Sequence, residues 1–358
     1  MARVTVVVAT YNRPHLLKHT IASIMAQTFK DWILLVVGDA CSAETQSLME
    51  SYNDERIFYL NLPDRCGEQS GPNSAGFFSA ETEYVAFANH DDIWLPDHLE
   101  HAVATLDKSE AEFYGAGVGL TTLAIEENVP VVWERSPSGR DSARAYFNMP
   151  VLFEPVSAWV VRRSVFEKVG AWRPASTIFR TPLEDWILRA WRKDVKCHFD
   201  DHITVLYCNA EKTAWTRAGK QGSLYGKVDC EGQYWNALLA RLGLEGFRRE
   251  IERQLSISDG VRDWTFFNCQ YKELETGSWI FESLMTEATA KLYKATGWDG
   301  HAEACKLMKG KPGYALAAML KRRTGEELPS HENWRDVSMR AQRALRSNER
   351  WRRMNAHA

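Results

Sequence analysis

The 358-residue sequence lacks several features that would each define a class of protein. It contains no run of 18 apolar residues, so nothing in it is expected to span a membrane. Its seven cysteines are odd in number, widely scattered and never arranged as C-x-x-C, which favours reduced thiols in a cytosolic protein. Its net charge of -3 creates no overall field that would attract nucleic acid or an anionic membrane.

A secretory signal is also missing from the first residues. An apolar strand-like stretch starts almost at Met1, and polar Thr10, Asn12 and Arg13 follow too soon for a signal peptide. With 45% hydrophobic and 25% charged residues, the composition is that of an ordinary globular protein. We therefore expect a soluble, cytoplasmic chain with one main domain of roughly 200 to 250 residues and an appendage.

Short apolar runs alternate with helix-like stretches in the first third of the chain. Strand-like runs cover residues 4–9, 32–37, 57–60 and 84–88. Helical spacing follows from Pro14 and over residues 43–52. This alternation predicts an α/β fold, with a Rossmann-like, mostly parallel sheet flanked by helices. Ligands of such sheets bind outside the carboxyl ends of the strands, so polar residues there are the functional candidates.

The pattern changes twice further along the chain. After about residue 110, strand-like pieces at 117–124, 157–161 and 203–208 mix with a polar loop at 135–144, which we expect to be mobile. From roughly Ala214, strands disappear and helical patterns dominate, notably at 233–242, 279–295 and 334–353. We therefore divide the chain into 1–110, 111–213 and a helical C-terminal region at 214–358.

A pair of carboxylates, Asp91 and Asp92, directly follows the fourth strand-like run. Two carboxylates at a strand end can hold Mg²⁺ or Mn²⁺ against the phosphates of a substrate. In the alternative interpretation, Asp92 only caps a helix that starts at Pro96. The residues alone leave both interpretations open.

Several segments, taken in order, resemble family-2 glycosyltransferases. They are VVVATYNRP at 6–14, VGDACS at 37–42, Asn73, FANHDDIW at 87–94, VFEKVGAW at 165–172 and LEDWILRAW at 183–191. Together they cover about residues 1–210. The resemblance implies a GT-A type nucleotide-diphospho-sugar transferase fold, with 1–110 as the nucleotide-sugar-binding half and 111–213 as the acceptor-binding half.

The resemblance also implies a reaction. The enzyme would be an inverting, metal-dependent glycosyltransferase that moves a sugar from a nucleotide-diphosphate donor, most commonly a UDP-sugar, to a hydroxyl. The acceptor would be a glycan or a lipid-linked sugar, in the assembly of bacterial surface polysaccharide. Nucleic acid is not expected as a partner.

On the donor side, the resemblance assigns the nucleotide to Thr10, Tyr11, Asp39, Asn73 and His90. Tyr11 would stack on the base and Asp39 would accept a hydrogen bond from a ring nitrogen of the base. The alternative is that both are turn residues at strand ends. The family usually has an arginine before the asparagine, where this chain has Pro72, and Arg65 is a candidate substitute.

For the metal, the resemblance assigns Mn²⁺ or Mg²⁺ to Asp91, with Asp92 as a second candidate ligand. The position before Asp91 is usually an aspartate that contacts the ribose, and it is His90 here. Three roles are open to His90: donation to a ribose hydroxyl or a phosphate, ligation of the metal, or a packed and hydrogen-bonded histidine.

On the acceptor side, Asp185 corresponds to the family's catalytic base, with Glu184 and Trp172 beside it. Because Glu184 and Asp185 open a helical segment, a role as helix caps is the alternative for this pair. Five tryptophans surround these motifs in sequence, and we expect core packing for most of them rather than sugar stacking: Trp94, Trp159, Trp172, Trp186 and Trp191.

Other interpretations remain to be separated from the transferase. A metallophosphoesterase is prompted by the Asp39 and Asp91 motifs, but its early Asp-x-His and late Gly-His-x-His are missing. A catalytically weak sugar-nucleotide-binding protein is prompted by His90 and Pro72. The helical stripe of Trp334, Val337, Ala341, Ala344 and Leu345 suggests peripheral contact with the inner face of a membrane, against the alternative of a solvated helix.

Overall fold

The computed structural model of the protein describes residues 2–124, 128–135, 155–208, 213–215, 221–223, 231–259, 287–307, 310–313, 316–317, 321, 327, 340 and 343–355. The described strands join one eleven-stranded sheet: β1 (Val4–Thr10), β2 (Trp32–Gly38), β3 (Ile57–Asn61), β4 (Tyr84–Asn89), β5 (Ile93–Trp94), β6 (Phe113–Ala124), β7 (Val129–Arg135), β8 (Trp159–Arg162), β9 (Cys197–Tyr207), β10 (Thr213–Trp215) and β11 (Gln221–Ser223).

Helices cover both faces and the C-terminal part of the described chain. They are α1 (Pro14–Met25), α2 (Ala43–Glu50), α3 (Ser70–Ser79), α4 (His98–Lys108), α5 (Val165–Val169), α6 (Pro182–Arg192), α7 (Glu231–Asp259), α8 (Glu287–Thr296), α9 (Gly300–Leu307) and α10 (Glu349–Asn355). The α/β fold class predicted from the sequence is confirmed.

The first half of the sheet is parallel, as the strand and helix alternation predicts. The strand order is β3-β2-β1-β4, and every neighbouring pair in this half is parallel. All seven residues of β2 are buried, as are six of the seven in β1, because helices lie on both sides. The carboxyl ends of β1, β2 and β4 therefore meet at one edge of the sheet.

The second half of the sheet is mixed. β8 lies between β4 and β6 and is antiparallel to both, while β9 runs parallel to β6 and antiparallel to the short strand β5. The long strand β6 also pairs with β7 and β10 along its second half. A core of large aromatic side chains fills the space under this half and includes Phe77, Phe87, Trp159, Trp172 and Trp186.

The expectation that strands end at about Ala214 is wrong. β10 pairs in parallel with the end of β6, with Ala214 beside Leu123, and β11 pairs with β10. A strand of three residues can extend an existing sheet, but it is too short to show the alternation of apolar and polar residues by which a strand is predicted. The sheet therefore continues into the region that we had assigned to helices alone.

Helix α7 is part of the body of the fold rather than a separate appendage. It packs on β7, where the Gln254 side chain accepts a hydrogen bond of 2.8 Å from the backbone N–H of Val132. Trp235, Phe247 and Ile251 are buried in a second apolar cluster with Leu206 of β9. Among the described residues, no helix has both the length and the apolar character needed to cross a membrane.

Two sequence-based expectations fall on residues outside the described part of the chain. Of the polar loop at 135–144, only Arg135 is described. Of the stripe proposed to contact a membrane, Trp334, Val337 and Ala341 lie outside the described residues, whereas Leu345 is buried in the main core. The membrane contact therefore stays a prediction.

Candidate functional site

The ends of β1 and β2 are held together at the predicted nucleotide site. Thr10 pairs with Gly38 in the sheet, and the backbone N–H of Asp39 donates to the carbonyl of Thr10 at 2.9 Å. Both strands end in a turn with one residue at positive φ, Asn12 at 45° and Ala40 at 55°. Such left-handed backbone is uncommon outside glycine and often marks functional turns.

The carboxylate of Asp39 is buried and organises the loop that follows β3. It accepts hydrogen bonds from the backbone N–H groups of Cys66 at 2.5 Å and Gly67 at 2.7 Å. Burial raises the pKa of Asp39, and the two backbone hydrogen bonds oppose that rise. The sequence reasoning placed Asp39 at the nucleotide but did not anticipate this internal bonding.

Arg65 lies on the ring of Tyr11. Its guanidinium carbon is 3.9 Å from the ring centroid, which is a close cation–π contact. Because Tyr11 is half-buried, Arg65 covers one face of the side chain on which a base is predicted to stack. A planar guanidinium can itself stack on an aromatic base, so both side chains are suited to contact the predicted base.

Two buried side chains at this edge have polar atoms without a partner among the described residues. They are the hydroxyl of Thr10, which is 3% exposed, and both amide atoms of Asn73, which is 1% exposed. Leaving a buried polar group unpaired costs about 1 to 3 kcal/mol. A ligand that bonds to these atoms would recover part of that free energy.

Asn73 is fixed against the sheet by the close packing of α3 on β1. A Cβ atom added at Gly76 would lie 2.3 Å from a methyl carbon of Val7, so only glycine allows this approach. Asn73 lies one turn earlier on the same helix. The glycine at position 76 thus allows α3 to pack closely on β1.

Glu68 is a half-buried acidic residue that the sequence reasoning missed. It accepts hydrogen bonds from the Ser70 hydroxyl at 2.6 Å and from the backbone N–H of Ala175 at 2.8 Å. Burial raises the pKa of Glu68. It links the loop held by Asp39 to the segment that leads into α6, and no local spacing rule would have found a contact across 107 positions.

The turn after β4 carries two carboxylates that differ in burial. Asp92 is 1% exposed, and its carboxylate accepts hydrogen bonds from the Asn89 amide at 2.9 Å, the Cys208 backbone N–H at 3.1 Å and the Ser157 hydroxyl. The hydrogen bonds of the buried Asp92 carboxylate hold the turn in place. His90 and Asp91 are half-buried in the same turn.

The suggestion that Asp92 caps a helix starting at Pro96 is wrong. The strand β5 comes directly after Asp92, and α4 begins at His98 with Asp97 as its N-cap residue. The metal roles of Asp91 and Asp92 stay predictions. The three internal hydrogen bonds of Asp92 favour a positioning role for it.

The two acidic residues at the start of α6 also have separate roles. Glu184 completes a capping box: its carboxylate accepts from the Thr181 backbone N–H at 3.0 Å, and its own N–H donates to the Thr181 hydroxyl at 3.3 Å. Asp185 makes no cap. Its carboxylate accepts from Arg189 Nε at 2.8 Å and lies 3.5 Å from Arg173.

Trp172 is in the core of the protein. It is 1% exposed and stacks on Trp186 with ring centroids 5.0 Å apart and planes at 17°. Trp94, Trp159 and Trp186 are equally buried. This matches the expectation of core packing for most of these tryptophans, and it favours a supporting role for Trp172 beneath the acceptor side over contact with a sugar.

Metal-ligating side chains also cluster at a place that the sequence reasoning did not consider. Among the described residues, ligand atoms from three such side chains lie within 4.8 Å of one another at Asp97, His101 and His202. These residues belong to α4 and β9 and are separate from the turn that carries Asp91. Because His202 is far from Asp97 and His101 in sequence, no short motif contains all three residues.

The strand order and the helices on both faces match the nucleotide-diphospho-sugar transferase fold predicted from the sequence. Residues 5–170 match the family model described as glycosyl transferase family 2. This part of the chain thus matches the family that the sequence motifs predict.

Relatives of the chain include enzymes of polysaccharide assembly. It is 30% identical over 191 residues to the succinoglycan biosynthesis protein ExoW of Rhizobium meliloti, a match that covers 47% of this chain and 58% of ExoW. It is 31% identical over 113 residues to the UDP-Glc:alpha-D-GlcNAc-diphosphoundecaprenol beta-1,3-glucosyltransferase WfgD of Escherichia coli, covering 31% of this chain and 44% of WfgD.

A solved structure with a related chain trace is that of S. aureus TarS 1-349 in complex with UDP. The two chains share 18% sequence identity with a TM-score of 0.45, over 58% of this chain and 60% of TarS 1-349. The chain thus spans less than two thirds of the length of each of these three proteins.

Proposed function

We propose that the protein is an inverting glycosyltransferase that moves a sugar from a nucleoside-diphosphate donor to a hydroxyl group. The observation that carries this proposal is the set of polar residues at the carboxyl ends of β1, β2 and β4, the edge at which open α/β sheets bind their ligands. The buried, unpaired atoms of Thr10 and Asn73 at this edge fit a ligand with many polar atoms.

The base of the donor would lie at Tyr11, Arg65 and Asp39. The Tyr11 and Arg65 pair supplies a planar surface for stacking, and Asp39 supplies a carboxylate next to it. The similarity to WfgD, whose name specifies a UDP-glucose donor, supports uridine as the base. Because Asp39 already accepts two backbone hydrogen bonds, its contact with the base would use a remaining lone pair.

The diphosphate would lie at the turn after β4, with Mn²⁺ or Mg²⁺ held by Asp91. Such cations keep several waters and substrate phosphates as ligands, so one carboxylate on the protein is sufficient. When bound, the cation supplies stabilisation of the negative charge that builds on the leaving diphosphate. Asp92 keeps Asp91 in position through its bonds to Asn89, Ser157 and Cys208.

Asp185 would accept the proton of the attacking hydroxyl. Arg189 lies 2.8 Å from Oδ2 and fixes the direction of the carboxylate, whereas Oδ1 lies 3.5 Å from Arg173, whose side chain is 56% exposed. Because the Arg173 contact is long and open to solvent, we assign Oδ1 as the proton acceptor. General base catalysis of this kind typically contributes about 10² to 10⁴ in rate.

The acceptor would be a sugar hydroxyl in a growing surface polysaccharide. The names of ExoW and WfgD, a succinoglycan biosynthesis protein and an enzyme acting on a diphosphoundecaprenol-linked sugar, support this class. Peripheral contact with the inner face of a membrane through the C-terminal residues would bring the enzyme to a lipid-linked acceptor. The division into a donor half at 1–110, an acceptor half at 111–213 and a C-terminal region belongs to the same proposal.

The C-terminal helices would hold the acceptor-side helix in place. Arg180, just before α6, forms a two-pronged ion pair with Asp299, with distances of 2.9 and 3.0 Å. Tyr293 of α8 stacks on Trp191 near the end of α6, with ring planes at 5°. These contacts brace both ends of the helix that carries Asp185.

The proposal is tested by titrating the full chain with a panel of sugar nucleotides, with and without Mn²⁺, in a calorimeter, and by following slow donor hydrolysis. We expect one donor to bind in a cation-dependent way and to be hydrolysed. A protein that binds no sugar nucleotide would contradict the proposal. Cation-dependent binding without hydrolysis or transfer would favour the alternative of a catalytically weak binding protein.

A further inference from the structure

A cluster of one carboxylate and two imidazoles lies away from the proposed donor site. Asp97 Oδ2 is 3.4 Å from His101 Nε2 and 3.4 Å from His202 Nε2. The two imidazole rings have centroids 4.2 Å apart, with planes at 39°. Three potential ligand atoms thus surround one point, although the residues come from α4 and from β9.

The distances are longer than good hydrogen bonds but match a shared metal ion. N–H···O hydrogen bonds have a usual range of about 2.7 to 3.2 Å, which both contacts exceed. Ligands about 2.0 to 2.2 Å from a tetrahedral Zn²⁺ are roughly 3.3 Å apart from one another. The third separation, between the ligand nitrogens of the two imidazoles, lies within 4.8 Å.

The side chain of Asp97 bonds to α7 and does not cap a helix. Asp97 is the N-cap residue of α4, yet its side chain makes no cap hydrogen bond. Its carboxylate instead accepts from Arg248 of α7, with 2.8 Å to Oδ1 and 2.6 Å to Oδ2, and its side chain is 13% exposed. A carboxylate has about four lone-pair positions, so Oδ2 can serve a cation while Arg248 orients the group.

We propose that Asp97, His101 and His202 form a Zn²⁺ site with a water as the fourth ligand. Two imidazole nitrogens and one carboxylate oxygen suit Zn²⁺, whereas Mg²⁺ and Ca²⁺ prefer oxygen ligands alone. His101 follows Asp97 by one helical turn, and His202 comes from the strand that pairs with β5. The ion would therefore join α4 to β9 and, through Arg248, to α7.

This site is distinct from the proposed cation site at Asp91. β9 reaches the donor side through Cys208, whose N–H bonds to Asp92. His202 is six residues earlier, which corresponds to about 20 Å of extended chain. The ligand chemistry differs as well, so the two sites are expected to select different cations.

The test is a titration of the chelator-treated full chain with Zn²⁺ alone, followed by calorimetry and by melting temperature. Co²⁺ serves as a spectroscopic probe, because its visible absorption reports tetrahedral coordination by nitrogen and oxygen. We expect one Zn²⁺ per chain, a rise in melting temperature with added Zn²⁺, and at least a tenfold weaker affinity in His101→Ala and His202→Gln. His198→Ala is the matched control, since this histidine is exposed on the same strand, and it should bind like the parent.

Two results would overturn the site. The first is Zn²⁺ binding that survives in the double variant His101→Ala, His202→Gln while that variant keeps the circular dichroism spectrum of the parent. The second is the absence of Zn²⁺ binding in the folded parent. The experiment uses no sugar nucleotide, so its failure is separate from any failure of the transferase proposal, and Asp91→Ala should leave the Zn²⁺ titration unchanged.

Discussion

Arg189 lies one helical turn after Asp185 on α6 and holds its carboxylate, with 2.8 Å between Nε and Oδ2. The same guanidinium donates to the carbonyl groups of Val169 at 2.5 Å and Ala171 at 2.8 Å. Arg189 therefore connects the proposed base to the end of α5 and to the loop after it by three directed hydrogen bonds. This arrangement makes Arg189 a positioning residue for catalysis rather than a surface charge.

Arg189→Lys is expected to lower kcat at least tenfold, with little change in the KM for the donor. Lysine keeps the charge, but it cannot make the three hydrogen bonds in the plane of a guanidinium. Steady-state kinetics with varied donor separate the two constants. Lys193→Gln, an exposed change just after the helix, should have no effect, and equal losses in both variants would argue against the positioning role.

Removal of the two carboxylates after β4 should have different effects: the loss of Asp91 should affect donor binding, and the loss of Asp92 should affect stability. Asp91→Ala should weaken cation-dependent donor binding and turnover while leaving stability nearly unchanged, because Asp91 is half-buried at the predicted phosphate position. Asp92→Ala should destabilise the fold by about 3 kcal/mol, since it leaves three buried donors without their acceptor. Urea unfolding and calorimetric titration with UDP and Mn²⁺ measure the two effects. Asp91→Ala that binds UDP and Mn²⁺ as the parent does would remove Asp91 from the metal site.

The free energy of unfolding should fall in mild acid because of the buried histidine His98. It is fully buried, its Nδ1 lies 2.8 Å from the Thr204 hydroxyl, and burial lowers the pKa of His98 to about 3. The native protein keeps this imidazole neutral, whereas the unfolded chain protonates it below a pKa of about 6.5. Stability from His98 is therefore complete above pH 6.5 and is lost as the pH falls towards 3, with a slope of up to about 1.4 kcal/mol per pH unit.

Urea unfolding at pH 7 and pH 5.5 measures this effect. The parent should lose about 1 kcal/mol more than His98→Asn over this interval, because asparagine has no proton to gain. His15→Asn, at an exposed histidine, should keep the pH dependence of the parent. An identical pH dependence in the parent and His98→Asn would show that another group is responsible.

Asp299→Asn tests whether the C-terminal helices support α6. The Arg180 side chain is only 6% exposed, so loss of the charged partner should cost about 3 kcal/mol and loosen the start of the helix. We expect faster hydrogen exchange over 180–192 and a lower kcat, with donor affinity unchanged. The control is Lys306→Gln, which breaks an exposed ion pair with Glu303 within α9 and should cost under about 1 kcal/mol. Unchanged exchange in Asp299→Asn would mean that the C-terminal helices do not brace α6.

The parallel half of the fold was predictable because its strands are short, continuously apolar and separated by helices. The sequence of β2, WILLVVG, is buried at every position, and such a run has few alternatives to a central parallel strand. The insertion of β8 between β4 and β6 was not predictable. The strand β8 has only four residues, too few to show an alternation of apolar and polar residues, and it pairs with strands far from it in sequence.

The positions of the candidate residues were predictable, but the directions of their side chains were not. Asp92 accepts three internal hydrogen bonds, and the Glu184 carboxylate completes a capping box, whereas the Asp185 carboxylate contacts two arginine side chains. Adjacent residues on a helix do not face the same way, so Glu184 and Asp185 meet different neighbours. A sequence shows that these carboxylates are present, but only tertiary contacts show which groups each of them bonds to.

The rate of sugar transfer by Asp185→Asn at saturating donor tests the central claim most directly. Asparagine keeps the size of the side chain but cannot accept the proton, so we predict a loss of about 10² to 10⁴ in kcat with donor affinity within twofold of the parent. Glu184→Gln, which preserves the capping box at the adjacent position, should keep its activity. Transfer by Asp185→Asn within tenfold of the parent would contradict the assignment of Asp185 as the base.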